Sequence, residues 1–241
     1  MPHLILVIMK KITIVLCSLF LFNGCAELQT VVNNLPVSGT LTNADVSNGL
    51  KQALELGVSS GVDMLSKQNG YYGNNMVKIL FPEQLQKVDN TLRKIGLSSL
   101  ADEGIKLLNR AAEDAVSQAK PIFVSAIRNL TFTDAMSILT GNKDAATQYL
   151  QKQTTSQLVS AFSPQIKASL DKVGANDVWT QIMNKYNTIP FISPVNTDLT
   201  AYVTEKTIEG LFVQIAQKEL DIRQNVSART TPLLQKVFAN Q

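Results

Sequence analysis

The chain has 241 residues, 22 Lys and Arg against 19 Asp and Glu, one His, two Cys and 45% hydrophobic residues. That length suits one domain or at most two, and an apolar fraction of this size excludes wholesale disorder. A net charge of +3, dispersed along the sequence, argues against a nucleic-acid partner.

At the N-terminus, Lys10 and Lys11 precede an apolar run from Ile12 to Phe22, and Asn23-Gly24 leads into Cys25. A basic start, a short apolar run and small residues form the layout of a secretory signal. As a helix the run rises about 17 Å, short of the ~30 Å hydrocarbon core of a bilayer. A spanning helix would have to begin at Leu4 and bury Lys10 and Lys11, which costs several kcal/mol. Leu21-Phe22-Asn23-Gly24-Cys25 resembles a bacterial lipoprotein signal, although Phe22 and Asn23 stand where Leu and a small residue are usual. The resemblance implies that residues 1–24 are removed and that Cys25 becomes the lipidated first residue, holding the chain on a membrane. Ala26 rather than Asp after the cysteine favours, by analogy with enteric sorting, the outer membrane and its periplasmic side. Met9, directly before the lysines, is the expected start of translation.

Removal of residues 1–24 takes away His3 and Cys17, so the remaining chain has no histidine and only Cys25 as a thiol. Ser–His–Asp and Cys–His catalysis, Cys/His zinc sites and c-type haem attachment are thereby excluded. No P-loop, nucleophile elbow or EF-hand loop is present, and nothing in the sequence calls for a cofactor or a metal. Gly57-x-x-x-Gly61 lies on an amphipathic pattern and reads as close helix packing.

Residues 25–44 are polar, include Pro36 and Gly39, and read as a tether. From Asp45 a helical period places Val46, Leu50, Leu54, Val58 and Leu65 on one face, ending at Asn69-Gly70. Leu85, Val88, Leu92 and Ile95 form a second helix that stops at Gly96. A third opens at Ser98 or Ser99 and is bent or broken at Pro121, after which Phe123 and Ile127 continue its face. Thr133-Asp134 opens a short helix, and Asn142 with Asp144 caps the next. Ser163-Pro164 predicts a fresh helix start with Pro in its first position, and Gly174 a stop. Asn176 opens a helix carrying Val178, Trp179, Ile182, Met183 and Tyr186. Thr197 to Gln224 is the longest predicted helix, and Thr231-Pro232 starts the last. Strand signals are confined to Val77–Phe81 and Ile189–Ile192. Helix should cover about 70% of the mature chain, against ~30–35% in typical globular proteins. The expected fold class is all-α: a single-domain multi-helix bundle over residues 45–241, behind a signal peptide and a short tether.

Several blocks in order carry a family resemblance. They are Asn109-Arg110-Ala111-Ala112-Glu113 running to Ala119-Lys120-Pro121, and Asp134-Ala135 through Gly141 to Asp144-Ala145-Ala146-Thr147-x-Tyr149. The last set is Tyr202-Val203-Thr204-Glu205-Lys206, Gly210-Leu211-Phe212, Ile222-Arg223-Gln224 and Lys236-Val237-Phe238. Together they resemble a family of exported bacterial proteins catalogued as a domain of unknown function, number 4197. The resemblance implies a helical envelope protein and carries no activity or catalytic residues with it.

Polar residues inside those blocks are the candidate site. Arg110 and Glu113 share a helix face at i, i+3, and Glu205, Lys206, Glu209 and Arg223 lie in a helix with a strong apolar face. They read either as a polar pocket holding a carboxylate of raised pKa or as ion pairs that fix helix register. Asp144, Thr147 and Tyr149 follow the Thr140-Gly141-Asn142 turn and read mainly as capping. Tyr71 and Tyr72, flanked by Gly70 and Gly73, form a candidate binding loop; Trp179 with Tyr186 reads as core. The leading functional expectation is a non-catalytic module that binds an envelope protein, glycan or lipid. A second is a hydrolase or lyase acting on cell-wall glycans with Glu113 and Glu205 as paired carboxylates. A third is a carrier of an apolar ligand, which needs an internal cavity of several hundred Å³.

Overall fold

Thr42 accepts a hydrogen bond from the Asp45 amide (3.1 Å) while the Asp45 carboxylate accepts one from the Thr42 amide (3.0 Å), a reciprocal cap that opens α1 (Asn43–Leu65). The helix thus starts two residues before the periodic signal at Asp45, because Asp45 acts as the third residue of the cap. The computed structural model describes residues 40–82, 86–94, 96, 98–186 and 198–240, a share of the chain that excludes residues 1–39. The signal peptide, Cys25, most of the tether and the Ile189–Ile192 strand signal lie outside the described residues. So do the side chains of Leu85, Val88, Leu92, Ile95, Val178, Ile182, Met183 and Tyr186.

After α1 the chain runs without regular structure through residues 66–82, a segment we call the strap. There follow α2 (Gln86–Lys94), α3 (Ser98–Val116), α4 (Ala119–Arg128), α5 (Phe132–Leu139), α6 (Ala145–Lys172), α7 (Ala175–Tyr186) and α8 (Leu199–Gln224). A 3-10 turn (Val226–Ala228) and α9 (Pro232–Val237) close the chain. The fold is all-α, with no strand among the described residues.

Three long helices form the frame. α8 lies between α1 and α6; α3 covers α6 and α8, while α4 lies on α1 and α6. Gly57 and Gly61 bring α1 close to Leu211, Gln214 and Ile215 of α8, so the Gly-x-x-x-Gly spacing does serve helix packing. Phe123 of α4 meets Phe212 of α8 edge-on, with ring centroids 5.9 Å apart. Around them Leu65, Phe162, Ile166, Leu170 and Leu211 are fully buried, and Trp179 is core as expected.

α6 departs from the expected break at Ser163-Pro164. It is one helix with Pro164 inside it. Leu158, Phe162, Ile166 and Leu170 carry one buried face straight across the proline. Burial of that face outweighs the hydrogen bond that Pro164 cannot donate and the crowding of its ring against the turn before it. Among the described elements this makes α6, at 28 residues, longer than α8 at 26. Two other stops act as read: Gly174, at φ 69°, follows α6, and the break between α3 and α4 falls just before Pro121, whereas α1 ends at Leu65, ahead of the expected Asn69-Gly70. α5 begins at Phe132 rather than Thr133, because Thr131 is its cap and Asp134 the third residue of the box.

Candidate functional site

Glu113 projects from α3 into the bend of the strap and is 4% exposed. Its carboxylate accepts hydrogen bonds from the backbone amides of Asn69 (3.2 Å), Tyr71 (3.0 Å) and Tyr72 (3.1 Å), and from the Arg110 guanidinium. Arg110 also donates to the Asn69 side chain at 2.9 Å. Amides of an irregular segment have no ladder or helix partner, and an unpaired buried amide is costly; the carboxylate supplies the missing acceptors. Four residues earlier on α3, fully buried Asn109 does the same for the extended part of the strap. It accepts from the Ile79 amide at 2.8 Å and donates to the Ile79 carbonyl at 2.7 Å. Asn109 thus stands in for a neighbouring strand, which accounts for a strand signal at Val77–Phe81 in a segment that belongs to no sheet.

The strap then passes across α8. Tyr71 is fully buried, its hydroxyl donating to the Thr207 carbonyl at 2.7 Å. Tyr202 of α8 donates to the Leu80 carbonyl at 2.8 Å. Gly210 makes the crossing: a Cβ there would lie 2.8 Å from the Tyr71 ring and 3.1 Å from Val77. Burial raises the Tyr71 phenol well above its ordinary pKa, with the Glu113 charge adding to the effect. The expected binding loop is therefore divided. Tyr71 is core, and half-buried Tyr72 has its ring covered by the Lys78 ammonium at 4.1 Å.

Arg223 belongs to a different cluster. It pairs with Glu219, four residues earlier on α8, at 2.9 Å, and both side chains are buried. Glu219 accepts from the amides of Ala146 (2.9 Å) and Thr147 (2.8 Å) and from the Thr147 hydroxyl (2.8 Å) at the start of α6. Arg223 donates to the carbonyls of Ile138 (2.7 Å) and Leu139 (3.2 Å) at the end of α5. Each charge meets the helix end of opposite partial charge, so the pair holds the α5–α6 corner in the sense the helix dipoles favour. The expected Asn142/Asp144 cap is replaced here. Asp144 takes the N-cap position but accepts from no backbone amide of the helix, only from the Gln148 side chain at 2.9 Å, and the amide acceptor arrives from α8. Arg229 completes the cluster by donating to the carbonyls of Ile222 (2.9 Å) and Arg223 (2.8 Å) as α8 ends.

Glu205 and Lys206 lie in a third place. Glu205 and Glu209, one turn apart on α8, line a groove of about 320 Å³ between α8 and α6. Ile208 and Phe212 form its floor, with Gln151, Thr155, Val159 and Ser163 along the α6 side. Lys206 pairs with Glu209 at 2.6 Å. Glu205 is exposed and has no ion pair or hydrogen bond with any described residue. Beneath this rim Tyr202 is pushed up to about 12 by burial, then by the charges of Glu209 and Glu205.

The five polar candidates thus occupy three separate positions: Arg110 and Glu113 under the strap, Arg223 at the α5–α6 corner, and Glu205 with Lys206 at the groove. Among the described residues Glu113 does not line the groove that Glu205 borders, and it has its oxygens filled by amides and Arg110. A crevice between α1, α6 and α8, lined by Leu50, Leu54, Ile215 and Phe238 among others, holds about 20 Å³. That is room for one water molecule, far below what an apolar ligand needs. Among the described residues no group of three or more His, Cys, Asp and Glu side chains could hold a metal ion.

A family model described as Protein of unknown function (DUF4197) matches residues 40–239. The chain belongs to the DUF4197 family. Neither the curated proteins nor the solved structures contain a match to it. Two of the blocks by which the chain resembles DUF4197 proteins, Asn109 to Glu113 and Ile222-Arg223, supply the side chains that hold the strap and the α5–α6 corner. Glu219, the acceptor that joins α8 to α6, lies just outside those blocks. Its signal was available only as a carboxylate four residues before Arg223.

Proposed function

We propose that this DUF4197 protein is an envelope lipoprotein, anchored through Cys25 on the periplasmic side of the outer membrane, that works as a non-catalytic binding module. The Leu21–Cys25 pattern supports the anchor. One observation carries the binding reading: Glu205 is a carboxylate without a described partner, on the rim of an open groove with an apolar floor. The buried charges elsewhere, Glu113, Glu219 and Arg223, are engaged in holding helices and strap together. A groove of this size and lining suits a short segment of a partner protein that places a basic side chain against Glu205 and an apolar one over Ile208 and Phe212.

Two measurements test the reading. Palmitate fed to cells should label the wild type and not Cys25→Ser; a wild type that stays unlabelled removes the anchor. A fluorescent peptide alternating Lys and Leu should bind the purified protein, and Glu205→Gln should weaken it at least threefold. Equal affinity for both proteins removes the groove.

A further inference from the structure

The bundle has a definable end at which the chain enters it. α4 runs antiparallel to α1, since Lys120 pairs with Asp63 at 2.6 Å and Lys51 donates to the Arg128 carbonyl at 3.1 Å. α8 is antiparallel to α1 as well. Gly61 meets Leu211 near one end, while Leu50 and Ile222 line a common crevice near the other. α9 closes on the first turns of α1, where Lys236 pairs with Asp45 at 2.9 Å. The start of α1, the end of α4, the start of α6 and the end of α8 therefore share one end.

Large apolar side chains stand exposed there: Leu41 (42%), just before α1, Phe132 (38%), at the α4–α5 corner, and Val226 (66%), just after α8. Arg128 and Lys143 are exposed at the same end and make no ion pair with a described residue. Of the nearby carboxylates, Asp45 is paired with the Lys236 ammonium, whereas Asp134 and Asp144 bond only to neutral groups, of Thr131 and Gln148 respectively. α4 and α5 together are apolar enough to pass for a membrane segment yet bend by 105° at this corner, and no single described helix is long and apolar enough to cross a membrane.

We infer that this end rests on an anionic phospholipid surface, with Leu41, Phe132 and Val226 entering the interface and Arg128 and Lys143 meeting headgroup phosphates. The inference rests on Cys25 as the anchor. Residues 26–39 would then join the lipid to this end of the bundle and to no other. Tethering over so short a connector sets an effective concentration on the order of millimolar, so a contact too weak to hold a free protein holds this one. A few apolar side chains with flanking cations form the interfacial pattern of peripheral membrane proteins, and a second signal of this kind adds to a lipid anchor.

The test uses the lipidated full chain. With Cys25 acylated, Phe132→Cys supplies the only free thiol for a fluorescent label; Val226→Cys is a second site and Val173→Cys, exposed at the far end of α6, the control. On vesicles containing one-third anionic lipid, quenching by aqueous iodide should fall at least threefold at positions 132 and 226 and stay unchanged at 173. Arg128→Glu with Lys143→Glu should return the label at 132 to water. Equal quenching at all positions on protein that floats with the vesicles overturns the orientation while leaving the anchor intact. Protein that does not float overturns the anchor, and the inference with it. Low quenching at 132 in an unlipidated Cys25→Ser chain in buffer shows a second copy covering this end, and also overturns it.

Discussion

Both oxygens of Glu113 are occupied, so its role is read in stability. Glu113→Ala leaves amides of Asn69, Tyr71 and Tyr72 and the Arg110 charge without their acceptor. Removing one partner of a buried charged network costs about 3–5 kcal/mol. Glu113→Gln keeps one acceptor oxygen and should cost less. Urea unfolding would rank the two, and hydrogen exchange at the Tyr71 and Tyr72 amides should accelerate in both before global unfolding. Sequence spacing places Arg110 beside Glu113 on one helical face, but it carries no information about a strap lying some forty positions earlier in the chain. That long-range contact is why a polar block resembling an active site is a clamp. The same limit applies to Tyr71, whose glycine neighbours suggested display. What those neighbours permit is a tight bend that sends the ring inward against Gly210.

Among the elements, Thr231-Pro232 opens its helix as expected, whereas the starts capped by Thr42 and Thr131 lie ahead of the signals at Asp45 and Thr133-Asp134. Thr42, Thr131 and Thr231 each sit before a helix and accept from an amide three residues on. The start of α6 was not legible, because its acceptor is Glu219 on α8. Pro164 departs from the local rule for proline for a related reason: the buried face of α6 continues on both sides of it. Pro164 is exposed in α6, so Pro164→Ala should restore the missing backbone bond and raise stability by about 1–3 kcal/mol, checked by thermal melting. At the head of α1, the Thr42 amide, the Lys236 ammonium and the Thr42 hydroxyl lower the Asp45 carboxyl from 3.8 to about 2. A depressed carboxylate stabilises fully above its unfolded pKa and loses that contribution as pH falls through the folded one. Asp45→Asn should therefore melt below the wild type at pH 6, and the two curves should converge near pH 2.

Across the whole molecule, the absence of histidine shapes the response to pH. His3 is the chain's only one and lies before the described residues, so no imidazole titrates within the bundle. The melting temperature should stay level between about pH 5.5 and 8.5. Below about pH 4 it should fall as Asp45, Asp134, Asp171 and Asp221, all held below their ordinary pKa by hydrogen-bonding partners, take up protons. Above about pH 10 it should fall again, because Tyr71 and Tyr202 are raised by burial and an unfolded chain releases those protons sooner. A scan that dips between pH 6 and 7 would contradict this profile. The all-α class was open to reading from the sequence because helical periodicity is local. Which helix ends meet was not, since that depends on pairs such as Glu219 with Ala146.

The Glu219–Arg223 pair also dictates a chronology. A corner formed by residues 138 to 147 has to wait for groups more than seventy positions downstream. A polypeptide made or threaded from its front end can coil its early segments as they appear, yet it cannot latch them until nearly the last turn of α8 has arrived.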